Sequence, residues 1–110
     1  MTKTVVDRRA HARQVVVPNR AALDWGTKTN DGGREARLLD ISRGGASLDS
    51  RDAPPLGQPV WLRLESPAPT PWVGATVVRR DGPRHVGVRF DGECPDEVML
   101  AATLGISLVF

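Results

Sequence analysis

Residues 60–65 read VWLRLE and residues 86–90 read VGVRF. In the first stretch Val60, Leu62 and Leu64 project to one side while Trp61, Arg63 and Glu65 project to the other. In the second, Val86, Val88 and Phe90 alternate with Gly87 and Arg89. A period of two with one apolar face is the pattern of a half-buried β-strand. Working outward, the same pattern puts Val73, Ala75 and Val77 on one face of a strand between these two. Three further strands are expected near 19–25 (NRAALDW), 34–42 (REARLLDIS) and 46–49. Turn-forming residues separate them: Asp31-Gly32-Gly33, Gly44-Gly45, the loop DAPPLGQP, the proline-broken SPAPTP, and Asp81-Gly82-Pro83. Six short strands, each with one apolar face, predict a small antiparallel barrel or sandwich.

The two ends of the chain read differently. Pro95 followed by Asp96 and Glu97 marks a helix start, with acidic groups at the positive end of the helix dipole. Val98, Ala101 and Ala102 fall on one helical face, Gly105 is placed to stop the helix, and Ile106, Leu108 and Phe110 suit a last extended segment. The uncharged stretch 98–110 is too short to span a bilayer, which takes about 20 residues. It can cover an open barrel end or offer an apolar docking face. At the other end, residues 1–18 read as a flexible basic arm ahead of a barrel domain over 19–110. Residues 1–13 hold Lys3, Arg8, Arg9 and Arg13 against Asp7 alone, a net +3. Little there can be packed, and the charges repel.

Composition excludes several classes. The chain has 110 residues, 40% hydrophobic and 25% charged, so it is one globular domain rather than a disordered segment. Cys94 is the single cysteine, so no internal disulfide forms, and with only His11 and His85 no zinc cage is expected. The N-terminus lacks the apolar core of a secretory signal, and a cytoplasmic location is expected. Fifteen Lys and Arg against thirteen Asp and Glu give only +2. All the cations but Lys3 and Lys28 are arginine, the residue that recognises phosphate and guanine bidentately.

Two constellations carry chemistry. One is Asp7-Arg8-Arg9-Ala10-His11-Ala12-Arg13, with R-x-x-x-R spacing at Arg9 and Arg13. The other is Asp40-Ile41-Ser42-Arg43-Gly44-Gly45, a D-x-S-x-x-G pattern between two strands. Either one alone is ordinary, since an Asp-x-Ser before glycines is usually a turn bonding to its own backbone. In this order, ahead of a six-strand pattern, the chain resembles the PilZ domain family, bacterial receptors for the second messenger cyclic di-GMP. The stretches Gly74-Ala75-Thr76-Val77-Val78 and Val86-Gly87-Val88-Arg89-Phe90 are similar to the family as well. The resemblance covers roughly residues 7–104.

The resemblance implies a six-stranded antiparallel β-barrel with a short C-terminal helix. It implies a cyclic di-GMP site formed by Arg8, Arg9, Arg13, Asp40, Ser42, Gly44, Gly45 and Arg79. Arg9 and Arg13 would meet phosphates and the O6/N7 edge of guanine, Asp40 would accept from base N–H groups, and Ser42 would bond nearby. Gly45 would leave room for close approach of ligand and backbone, or serve as a bulge glycine. Many relatives place a guanine-stacking aromatic where this chain has Arg79-Arg80, and a guanidinium can also stack on a base.

The remaining residues have plainer readings. His11 suits a solvated loop; Trp25, Trp61 and Trp72 suit core or rim anchors; Cys94 has no activating neighbour in sequence. No nucleophile elbow or Ser/His/Asp arrangement is present, so no enzyme is expected, nor any cofactor beyond the ligand. Low net charge and sparse aromatics argue against DNA or RNA. The expectation is a monomer or weak dimer, without a membrane span, that changes conformation on binding cyclic di-GMP and signals through a partner protein. The other reading is a protein-interaction module of the same fold that binds no nucleotide.

Overall fold

The computed structural model describes residues 12–26 and 33–107. Seven strands and one helix follow in order: β1 (Gln14–Val15), β2 (Arg20–Trp25), β3 (Arg34–Ile41), β4 (Gly45–Ser50), β5 (Pro59–Ser66), β6 (Val73–Asp81), β7 (His85–Phe90) and α1 (Asp96–Leu104). The six longer strands lie where alternation placed them, with β4 starting at Gly45 rather than after it. All pairings are antiparallel, in the order β3-β2-β5-β6-β7-β4, and β4 returns to β3 to close a six-stranded barrel. Closure removes the unpaired edges that an open sheet would expose.

The inward faces are the apolar ones. Val60, Leu62 and Leu64 of β5, Ala75 and Val77 of β6, and Val86, Val88 and Phe90 of β7 are all buried, and they meet Leu23, Leu38, Ile41 and Leu48. Burying each such large side chain is worth about 1.5–3 kcal/mol, which is why register follows the apolar face. Helix α1 closes one end of the barrel with Val98, Met99, Ala101 and Ala102, so this part of the 98–110 stretch is cover. It stops at Gly105, whose φ of 69° is left-handed and whose N–H donates to the Ala101 carbonyl. Leu108 and Phe110 lie outside the described residues, as do Asp31 and Gly32 of the first expected turn.

The seventh strand, β1, was not expected. Gln14 and Val15 pair with Ile41 and Asp40 on the half of β3 that β2 leaves free. Between β1 and β2, the Asn19 side chain takes the place of a ladder residue. Its amide donates to the carbonyls of Val17 and Leu38, and the Leu38 N–H donates to its Oδ1. The Val17 N–H donates to the Ala102 carbonyl, tying this segment to α1. Thus residues 12–18 of the basic arm run along the barrel wall. Among the described residues no helix is long and apolar enough to cross a membrane.

Candidate functional site

Strand register assembles one outward row across five strands. Val15 of β1 pairs with Asp40, Asp40 with Ser47 of β4, Ser47 with Gly87 of β7, and Gly87 with Arg79 of β6. Two bulges make this possible. The ladder slips between Leu38 and Asp40 in β3 and between Val77 and Arg79 in β6. Each slip turns the extra residue, Leu39 or Val78, to the surface and resets the phase so that Asp40 and Arg79 point outward too.

Arg13, two residues before Val15, reaches back over this row. Its guanidinium pairs with the Asp40 carboxylate and donates to Ser47 Oγ at 3.3 Å. From the other side Arg79 donates to the same Ser47 Oγ at 3.1 Å and to Asp81 at 2.8 Å. Arg79 lies across Gly87: a Cβ there would come within 3.0–3.3 Å of its guanidinium atoms. The absent side chain is therefore what lets the arginine lie flat on the wall. Arg13, Asp40, Ser47 and Arg79 line an open cleft of about 540 Å³. Two guanidinium groups sharing one hydroxyl, each held by its own carboxylate, present a paired set of donors for phosphate or purine acceptors.

The D-x-S-x-x-G loop has a different part. Ser42 is 5% exposed, and its Oγ accepts from the N–H groups of Gly44 and Gly45 and donates to the Gly45 carbonyl. It holds the loop in shape and does not line the cleft. Gly44 offers its carbonyl to the Phe90 N–H. At Gly45 a Cβ would stand 2.3 Å from the Val88 carbonyl, so the space the glycine leaves is taken by β7. Arg43 points away, donating to the Cys94 carbonyl and pairing with Asp96, and so binds the loop to the start of α1. Cys94 is buried there. Burial pushes its thiol up to about 12, partly opposed by Arg43.

Of the residues expected at the site, the structure brings Arg13, Asp40 and Arg79 together. Ser42, Gly44 and Gly45 build the loop beside them, and Arg8 and Arg9 lie outside the described residues, as does His11. Ser47 and Asp81 were missed. Alternation outward from Gly45 would have found Ser47; Asp81 read only as a turn residue. Arg80, next to Arg79, pairs with Val86 and takes no part in the cleft.

This row sits where the two sequence motifs meet, and the PilZ domain family model matches residues 7–102. The chain belongs to this family. None of the curated proteins compared with it matches. Membership accounts for the barrel and for Arg13 of one motif meeting Asp40 of the other at one cleft of this PilZ domain. It also identifies the domain as of the type that binds cyclic di-GMP, a binding module. Among the described residues no group of three or more His, Cys, Asp or Glu side chains is placed to hold a metal ion.

Proposed function

We propose that this PilZ domain is a cyclic di-GMP receptor that acts by binding, without catalysis, and passes the signal to a partner protein. One observation carries the reading: Arg13 and Arg79 share the Ser47 hydroxyl above Gly87, with Asp40 beside them. The ligand offers two phosphates and two guanine edges. In this reading the arginine forks take phosphate oxygens or guanine O6 and N7, and Asp40 accepts base N–H groups. Arg8 and Arg9 extend the same donor set, and the Ser42–Gly45 loop holds Asp40 in place. Ligand oxygens compete with Asp40 for Arg13, so binding exchanges an existing ion pair for new ones and the net affinity is modest.

Calorimetric titration tests this directly. Cyclic di-GMP should bind with a dissociation constant on the order of micromolar, about 8 kcal/mol. GMP, with half the groups, should bind far more weakly, and a short oligonucleotide not measurably. No heat at roughly 100 µM cyclic di-GMP, a hundred times that constant, would leave the protein-interaction reading in its place.

A further inference from the structure

A second cluster lies on the wall made by β2, β5 and β6, and the nucleotide reading does not use it. Asp24 pairs with Trp61 and Trp61 with Gly74, an outward row over three strands. A Cβ on Gly74 would lie 2.7 Å from Asp91 Oδ2 and 3.4 Å from Trp61 Cζ3, so that carboxylate and that indole approach each other over the glycine. Trp61 is thus flanked by Asp24 on one strand and by Asp91 beyond the other. Trp61 is 55% exposed. Asp24, Trp61 and Trp72 line an open cleft of about 300 Å³.

The other two tryptophans show what is missing. Arg34 stacks on Trp25 at 4.2 Å and Arg63 on Trp72 at 4.5 Å. Among the described residues Trp61 has no such cation, although it is the indole with carboxylates on both sides. Arg63, the nearest cation along β5, stacks on Trp72 and lies 3.5 Å from Glu65, with its Nε buried and without a partner. An indole face attracts positive charge, and carboxylates on either side of it add to that attraction. One planar cation can stack on the ring while donating in its own plane to a neighbouring carboxylate, which a guanidinium does and an ammonium does less well.

We propose that this cleft receives an arginine side chain of a partner protein, its guanidinium stacked on Trp61 and hydrogen-bonded to Asp24. The site is separate from the Arg13–Asp40 cleft and shares no residue with it. A receptor could therefore hold nucleotide and partner on different walls.

The test is a titration of the full chain with acetyl-arginine-amide, followed by the indole N–H resonance of Trp61, with acetyl-citrulline-amide as the uncharged isostere. Saturating shifts at millimolar arginine probe and none with citrulline are expected. Asp24→Asn should weaken the probe on the order of tenfold, as for loss of a charge-assisted bond, and Trp61→Ala should abolish the response at the other indoles. Equal response to citrulline, unchanged affinity in Asp24→Asn, or no saturation at about 50 mM would overturn the proposal. So would indole shifts that depend on protein concentration without probe, which would make a second copy of this chain the occupant. Because cyclic di-GMP is titrated separately, either result can fail without the other.

Discussion

Arg13 has two acceptors, Asp40 and Ser47, and it reaches both from a residue just ahead of a two-residue strand. The Arg13 and Asp40 side chains are 25% and 36% exposed, so their pair adds about 0–1 kcal/mol of stability; its consequence is orientation. Arg13→Ala should therefore leave the thermal midpoint almost unchanged. It should weaken cyclic di-GMP about ten- to a hundredfold, the usual loss for a charge-assisted bond. Arg13→Lys should recover little of that, since a point charge does not reproduce the fork. If calorimetry gave the lysine variant the parental affinity, the bidentate role of Arg13 would be wrong. Gly87→Ala probes the other guanidinium. The new methyl group would press on the flexible end of Arg79, which can swing away, so folding should lose little while ligand affinity falls. Unchanged affinity in that variant would remove Arg79 from the site.

At the scale of elements, the cleft depends on β4 and β7 lying close and on β1 staying paired with β3. Gly45→Ala puts a methyl carbon 2.3 Å from the Val88 carbonyl, a backbone atom that no rotamer change can move. Overpacking of this kind costs about 1–3 kcal/mol, read as a lower urea midpoint. A midpoint equal to the parent would show that the two strands separate freely. β1 gives the basic arm a fixed end: Gln14 and Val15 are in the sheet, and Val17 is bonded to α1. Residues 5–11, ahead of that anchor, carry Arg8 and Arg9 against Asp7 and few apolar groups. Two ligand phosphates would neutralise that charge and so draw the segment into the proposed site. Amide exchange should slow at residues 5–11 when cyclic di-GMP is added. Equal rates with and without ligand would separate the arm from binding and end the proposed conformational signal.

Across the whole molecule, one core links the arm, the barrel and the helix. Cys94 sits in it at 1% exposure, between the Arg43 loop and α1. With its thiol raised from an ordinary 9.0 to about 12, it should resist iodoacetamide at pH 8 in the folded protein and react once urea unfolds the chain. Prompt alkylation of native protein would contradict the burial. The linkage has a definite sign. Below pH 9 the thiol is protonated in both states. Between 9 and 12 the unfolded chain loses a proton that the folded one keeps, so stability falls as pH rises through that window. Cys94→Ala should remove that part of the alkaline slope.

Alternation alone determined the six long strands, because each has one face in the core and a one-residue slip would expose all of it. The helix over Asp96–Leu104 and its stop at Gly105 were equally legible, since an acidic first turn and a left-handed terminus are local requirements. The motif spacing singled out Arg13 and Asp40 and, through resemblance, Arg79. Only the tertiary structure decided how those residues meet. β1 is too short to carry a pattern and exists because half of β3 was unpaired. The bulges at Leu39 and Val78 turn Asp40 and Arg79 outward, and register then places Ser47 and Gly87 between them. Ser42 and Gly45 read as ligand residues in a linear motif, yet loop closure and the approach of β7 use their hydroxyl and their missing side chain. Strand patterns and caps depend on neighbours in sequence, whereas a site built across five strands depends on pairing between distant segments, which one strand's own residues do not encode.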